Sequence, residues 1–184
     1  MRQSLRPHPD SRCDTVRAIQ VEAARHPGGV LRLDYVASGR IADLLVPPPA
    51  PPQRADKLWE HTVFEVFVRR PGEPGYVEFN FAPSGAWAAY RFTSQRRGMS
   101  NLEEFQDMPI TLDAGMSSLS LAVKLDLGVL PDFAGDTPWS IGISTIIEES
   151  NGRKSYWALA HPQGKADFHH PDSFALDLPP VGAS

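Results

Sequence analysis

Apolar and polar residues alternate along much of this chain, and a period of two is typical of strands with one buried face. The clearest runs, 62–69 and 76–81, flank a loop rich in proline and glycine and predict a β-hairpin. Residues 16–24 and 30–37 flank His26-Pro-Gly-Gly29 in the same way and predict an opening hairpin. Further strands are expected at 86–92, 118–125, 139–147 and 155–161.

Strands of this number and spacing favour an all-β fold of two packed antiparallel sheets, a β-sandwich of the jelly-roll type. Apolar residues at every second position of 118–125 and 139–147 give each of these strands a face toward the core. The 18 prolines support this class, because proline interrupts helices. The proline-rich run 46–52 is expected to be a stiff extended crossover, and only residues 101–107 resemble a short helix.

A length of 184 residues fits a single domain. Residues 1–14 are poorly patterned and are expected to form a poorly ordered tail, whereas residues 15–184 form the sandwich. The single cysteine, Cys13, cannot make an internal disulfide, and the first residues lack the apolar run of a signal peptide, so a cytoplasmic location is expected. A net charge of −4 argues against nucleic-acid partners, and the lack of an apolar run of about 18 residues argues against a membrane span.

Polar side chains share one face of the central hairpin. The expected pairing sets Glu65 opposite Asn80 and Phe67 opposite Glu78, so that two carboxylates and an amide lie beside aromatic rings. This face is either solvated, with weak cross-strand ion pairs, or a polar cup for a ligand. A sugar would suit such a cup, because its hydroxyls need donors and acceptors and its C–H faces stack on aromatic rings.

The turn after the hairpin decides which residues join that face. A two-residue turn in Ala82-Pro-Ser-Gly85 would add Trp87 and Arg91 to the polar face. A bulge at Gly85 would reverse the parity and turn Trp87 away.

Three segments of the chain resemble a known group of proteins. They are Leu58-Trp-Glu-His-Thr-Val-Phe-Glu-Val-Phe67, Tyr76-Val-Glu-Phe-Asn-Phe-Ala-Pro-Ser-Gly-Ala-Trp87 and Asp167-Phe-His169. Over about residues 15–178 the sequence is similar to the DOMON-like superfamily and its relatives, the family nine carbohydrate-binding modules. Sugar-binding members hold a ligand between two tryptophan rings, with a glutamate and an arginine.

The resemblance implies a non-catalytic module that binds a carbohydrate or a sugar-like small molecule. Trp59 and Trp157 would be the two rings, Glu65 the carboxylate and Arg91 the guanidinium. Three further residues would support the site: Glu78, Asn80 and Trp87. If the two rings stack on one ligand, they should face each other about 7 Å apart, and burial of either in the core would remove that arrangement.

Two other functions remain open. The sheet face or the proline-rich run could dock a protein partner, which would require a broad apolar patch with a polar rim. Alternatively, Glu65 and Glu78 could form the carboxyl pair of a small glycoside hydrolase. No phosphate loop, dinucleotide fingerprint or Gly-x-Ser-x-Gly occurs in the sequence.

No cofactor is assigned. The histidines 161, 169 and 170 lack the spacing of a metal site, so no metal ligand is expected. Oxygens in 148–152 are weak candidates for a structural calcium. Some DOMON-like proteins bind haem through Met and His, but Met99, Met108 and Met116 lie in loop-like sequence and indicate no such pair.

Overall fold

The computed structural model describes residues 1–182, and strands dominate this part of the chain. Its thirteen strands are β1 Arg2–Pro7, β2 Val16–His26, β3 Val30–Gly39, β4 Gln53–Arg54, β5 Val63–Arg69, β6 Tyr76–Phe81, β7 Ala86–Phe92, β8 Ser100–Asn101, β9 Ile110–Ala114, β10 Ser118–Asp126, β11 Trp139–Glu148, β12 Lys154–Ala158 and β13 Leu176–Leu178. Short 3-10 helices occupy Pro27–Gly29, Ile41–Asp43, Leu58–Glu60, Leu127–Val129, Pro131–Phe133 and Pro171–Ser173. The all-β prediction is confirmed, and none of the helices within residues 1–182 could cross a membrane.

The strands form one curled sheet. Its hydrogen-bonded path runs β4-β7-β6-β5-β11-β12-β1-β2-β3-β10-β9, with β13 on β11 and β8 on β7. Every pairing is antiparallel except that of β4 with β7. Strand β1 joins the halves, because Arg2–Leu5 pair with β2 whereas Arg6 and Pro7 pair with β12. The sequence predicts two separate sheets, whereas the structure has one continuous sheet that bends at β1.

The two halves of the sheet enclose one main core. Alternate residues of β2, β3 and β10 meet those of β5, β6, β7 and β11 there, as the period-two pattern predicts. Tyr35 shows the contact between halves, because its ring lies 5.2 Å from that of Phe64 and its hydroxyl donates to the Glu65 carbonyl at 3.0 Å. Full burial of each large apolar side chain contributes about 1.5–3 kcal/mol.

The N-terminal segment differs from the expected tail. Residues Arg2–Pro7 form β1, and the N-terminal amine donates to the Ala23 carbonyl at 2.6 Å. Leu5 is the buried side chain of this strand. Backbone hydrogen bonds to β2 and β12 hold β1 in place. Because these bonds do not depend on the side chains, the strand shows little hydrophobic alternation in the sequence.

The expected short helix at 101–107 is wrong. The segment contains the end of β8 and turns, although Leu102 and Phe105 are buried. The guanidinium of Arg54 donates to the carbonyls of both residues, at 2.9 and 2.6 Å. Arg54, which is distant in sequence, thus satisfies backbone carbonyls that a helix would have satisfied with its own N–H groups.

Candidate functional site

The polar face predicted in the hairpin of β5 and β6 is present in the expected register. Glu65 pairs with Asn80 and Phe67 with Glu78, on the side of the sheet opposite the main core. The solvated version of this face is wrong, because Glu65 is 2% exposed and Glu78 4% exposed. A second apolar cluster, which includes Phe168 and Phe174 from the C-terminal region, covers the face.

A cavity of about 410 Å³ opens under this cover. Strands β5 and β6 supply its two carboxyl groups, whereas the loops after β7 and β12 supply much of its wall. Its lining residues are Trp59, Glu65, Phe67, Glu78, Phe92, Arg96, Met99, Ile146, Tyr156, Ala166, Phe168 and His169. The volume lies at the small end of the range of about 300–1,000 Å³ that is usual for small-molecule sites.

The two carboxyl groups are incompletely hydrogen-bonded. Glu65 Oε2 accepts from Ser144 Oγ at 2.7 Å, and Glu78 Oε1 accepts from Asn80 Nδ2 at 2.7 Å. Glu78 Oε2 is buried and has no hydrogen-bond partner among residues 1–182, although His169 Nε2 lies 3.8 Å away. A buried carboxylate oxygen without a donor costs free energy, so the site favours either a proton or a ligand there.

Burial and mutual repulsion change the acidity of this pair. Removal from water raises the pKa of Glu65 to about 8, and the charge of Glu78 adds to that increase while the Ser144 hydroxyl opposes it. Burial likewise raises the pKa of Glu78 to about 7, against the opposing hydrogen bond from Asn80 and the opposing charge of Arg96, which also acts on Glu65. The two groups titrate as a pair, which retains protons near neutral pH.

A hydrogen-bond chain orients the histidine of the cavity. The backbone N–H of Arg96 donates to the Tyr76 hydroxyl at 3.2 Å, and this hydroxyl lies 2.7 Å from His169 Nδ1. Burial and the Arg96 charge lower the pKa of His169 to about 4, so its ring is neutral near pH 7. With the Tyr76 O–H donating to Nδ1, Nε2 carries its hydrogen toward Glu78.

The cation of the cavity is already paired. The Arg96 guanidinium donates through Nη2 and Nε to Asp167 Oδ1, at 2.8 and 3.1 Å. Asp167 also accepts from Gln95 Nε2 at 2.9 Å and from the His169 backbone N–H at 3.1 Å. These contacts tie the loop after β7 to the segment 166–169 and close one side of the cavity.

Trp59 forms part of the rim. It lies in the 3-10 helix Leu58–Glu60, is 38% exposed and packs edge-on against Tyr90, with 6.3 Å between ring centroids. The Tyr90 hydroxyl donates to Asp56 Oδ1 at 2.7 Å, which fastens this short helix to β7. An exposed indole at the mouth of a polar cavity can stack on a ligand.

Three predicted site residues lie elsewhere. Trp157 is 4% exposed and packs in the main core, so it cannot face Trp59 across a ligand. Arg91 lies opposite Val77, on the core side of the sheet, and forms an ion pair with Asp132. These positions correct the expected ring pair and guanidinium.

Trp87 also turns into the main core. Ala82 N–H donates to the Ala86 carbonyl at 2.8 Å, which makes a three-residue loop and sets Phe81 opposite Trp87. Gly85 has φ +93°, and a Cβ there would lie 2.7 Å from the Ala50 carbonyl oxygen. The bulge alternative for this turn is therefore confirmed, and the two-residue turn is wrong.

The sequence interpretation missed most of the cavity wall. Arg96, Phe168 and His169 lie in segments without strand periodicity, so no parity argument could place them. Tyr156 could have been found, because it pairs with Ile146 and therefore shares the face of Glu65 rather than that of Trp157.

Metal ligands do not gather at this site. Within residues 1–182, no group of three or more His, Cys, Asp or Glu side chains is arranged to hold a metal ion. The cavity lining consists of aromatic rings, an acid pair and a paired guanidinium, with a few other side chains.

Comparison with solved structures shows which fold this is. The chain is similar to a candidate carbohydrate-binding protein from Bacteroides uniformis, with a TM-score of 0.64 and 15% identity over 94% of this chain and 83% of that one. It is also similar to a family nine carbohydrate-binding module from Caldicellulosiruptor kristjanssonii in complex with glucose, with a TM-score of 0.54 and 9% identity over 95% and 81% of the two chains. Identities this low show a common fold. The sequence matches no protein-family model and no curated protein.

Proposed function

We propose that this protein binds a small carbohydrate or sugar-like molecule in the cavity beside Glu65 and Glu78. The observation that carries this proposal is the buried Glu78 Oε2, which lacks a partner among residues 1–182 and borders a cavity with an exposed indole at its rim. A sugar hydroxyl would supply the missing donor, and a sugar C–H face would stack on Trp59.

The fold comparisons support this class of ligand. One similar structure is a candidate carbohydrate-binding protein, and the other is a family nine carbohydrate-binding module in complex with glucose. The curled sheet, with two halves around one core, corresponds in this proposal to the layers of a sandwich, as in the family the sequence resembles. The ligand lies on the outer face of one half.

The cavity suggests a role for each recognition group. Trp59 offers a single stacking face, because Trp157 belongs to the core. Glu65 and Glu78 accept or donate hydrogen bonds according to their protonation, and Asn80 holds Glu78 in position. Arg96, fixed by Asp167, takes the place that the sequence resemblance gives to Arg91.

Calorimetry and thermal shift with neutral monosaccharides and disaccharides test this proposal. A sugar that binds should raise the melting temperature of the wild type and fail to do so for Trp59→Ala. Met116→Ala is the matched control, because Met116 is also an exposed apolar residue and lies outside the cavity. If no sugar in the series produces heat or a shift, the carbohydrate proposal is wrong.

One observation favours a second candidate, a glycoside hydrolase. Burial raises the pKa of both Glu65 and Glu78, so the pair can hold one proton and present one acid with one carboxylate. Turnover of chromogenic glycosides, abolished by Glu78→Gln, would establish this activity. The absence of turnover by the wild type across α- and β-linked substrates would exclude it for those substrates.

A further inference from the structure

The charges that line the cavity do not balance. Two carboxyl groups, Glu65 and Glu78, enter it, whereas the guanidinium of Arg96 is already paired with Asp167 at 2.8 Å. His169 cannot supply a second cation near pH 7, because burial and Arg96 lower its pKa to about 4. The charge of Arg96 lowers the pKa of both carboxyl groups but does not offset their burial, so the acid pair meets one shared cation and no unpaired one among the described residues that line the cavity.

The remaining ionisable groups near the pair add no positive charge. Tyr156 lines the cavity, Tyr76 lies behind His169 and Tyr90 pairs opposite Glu78, and a phenol carries no positive charge in either protonation state. The neighbouring polar groups, Ser144 and Asn80, each donate one hydrogen bond to the acids and are neutral. Within residues 1–182, protons held by Glu65 and Glu78 therefore offset the charge that Arg96 leaves uncompensated.

The walls of the cavity suit a cation as well as a sugar face. Rings of Trp59, Phe67, Phe92, Tyr156 and Phe168 surround the space next to the acids. Aromatic faces attract an ammonium group, and the attraction strengthens where water is excluded. The unpaired Glu78 Oε2 would then receive a charge-assisted hydrogen bond, which is about twice as strong as a neutral one.

We propose that the ligand carries a primary ammonium group, as an amino sugar does, and that this ammonium replaces a proton held by Glu65 and Glu78. The inference rests on the proposed carbohydrate function and narrows its ligand class. The exchange is a proton transfer only: R–NH₃⁺ enters, the carboxyl O–H bond breaks and its proton passes to water or buffer, and the ammonium donates to the carboxylate that remains.

Isothermal titration calorimetry with three related sugars tests the inference. Glucosamine carries the ammonium, N-acetylglucosamine has the same nitrogen without its charge, and glucose has a hydroxyl in its place. Titrations at about pH 6.5, in buffers of different ionisation enthalpy, measure proton release together with affinity. We expect glucosamine to bind at least about tenfold more tightly than the other two and to release about one proton per ligand.

The outcomes separate this inference from the broader proposal. Equal affinities for glucose and glucosamine without proton release would overturn the ammonium inference and leave carbohydrate binding intact. Cyclohexylamine tests the ammonium group without the sugar, because it carries an ammonium on a ring that has no hydroxyls. If it binds as tightly as glucosamine while glucose does not bind, the ammonium inference holds and the carbohydrate proposal fails. If none of the four compounds binds, both fail.

Glutamine variants identify the responsible groups. Glu78→Gln should reduce the preference for glucosamine over N-acetylglucosamine to about threefold or less and suppress proton release, because the carboxylate that meets the ammonium is gone. Glu65→Gln provides a second variant, and thermal melts confirm that both proteins fold. Glu103→Gln is the matched control, since this exposed glutamate lies outside the cavity, and it should keep the wild-type preference. An unchanged preference in both cavity variants would contradict the inference.

Discussion

The buried pair Glu65 and Glu78 should make the protein less stable as the pH rises toward 8. In the folded chain, burial raises the pKa of Glu65 from 4.5 to about 8 and that of Glu78 from 4.5 to about 7. Unfolding returns both groups to water and toward their ordinary pKa values. Between about pH 6.5 and 8 the folded chain therefore binds more protons than the unfolded chain, and the free energy of unfolding falls as the pH rises.

The expected size of this loss follows from the proton difference. If the folded pair holds on average about one proton more than the unfolded chain, 1.36 kcal/mol per pH unit gives a loss of about 2 kcal/mol between about pH 6.5 and 8. Two histidines reduce the net loss at the lower end of this window. The pKa of His169 is lowered to about 4 and that of His161 is also lowered, so the unfolded chain binds more protons at these two sites and their effect opposes that of the acids. Because an unfolded histidine is about half protonated at pH 6.5, this opposing effect fades above about pH 7.5.

Urea denaturation followed by tryptophan fluorescence at several pH values measures this dependence. Glu65→Gln and Glu78→Gln should each remove about half of the slope, because each leaves one buried acid. Glu103→Gln, an exposed site, should keep the full slope. A wild-type free energy that is constant or rises across the window would refute the buried, proton-binding pair. So would a full slope in both cavity variants.

Four further substitutions test the placement of individual residues. Trp157→Ala should lower the free energy of unfolding by about 3–5 kcal/mol, because the Trp157 ring lies in the core. Trp59→Ala should change this free energy by less than about 1 kcal/mol, because the Trp59 ring lies at the surface. Urea denaturation of the two variants measures the difference. Ser144→Ala should destabilise the protein by about 1.5–3 kcal/mol at pH values where Glu65 is ionised and by less at about pH 6, which the same titrations would show. Gly85→Ala should cost more than about 1 kcal/mol, because φ is +93° and the new Cβ would approach a carbonyl oxygen at 2.7 Å; an unchanged melting temperature would contradict this.

The central hairpin shows how much of the fold could be predicted from sequence. Period-two alternation in 62–69 and 76–81 and the loop between them determined both strands and the pairing of Glu65 with Asn80. The same pattern placed the core faces of β10 and β11 correctly. Such strands are predictable because the alternation of apolar and polar side chains along each strand indicates which face is buried.

The other elements depend on contacts that leave no periodic pattern. Strand β1 is held by backbone ladders to β2 and β12, so its side chains alternate only weakly. The direction of Trp87 depended on one extra loop residue at Gly85, and a change of one residue reverses every later side chain of the strand. Trp157 was expected to stack with Trp59 by resemblance alone, and its register with Thr145 places it in the core instead.

The cavity itself could not be predicted from local sequence, because remote segments create its low-dielectric environment. Glu65 and Glu78 would be ordinary surface acids if the second apolar cluster, with Phe168 and Phe174, did not cover the sheet face. That cover makes the ionised pair costly, and neither Ser144 nor Asn80 satisfies all of its oxygens.

A buried acid pair that weakens the fold at neutral and higher pH is hard to explain by stability alone. Glutamine at both positions would keep similar size and hydrogen bonding without the cost of burying charge, so structural selection would favour the amides. Residues with such perturbed acidity concentrate where a protein binds or transforms a ligand. Glu65 and Glu78 are then best understood as groups whose unfavourable burial is relieved by the molecule that fills the cavity, which is the coupling that the sugar and amine titrations measure directly.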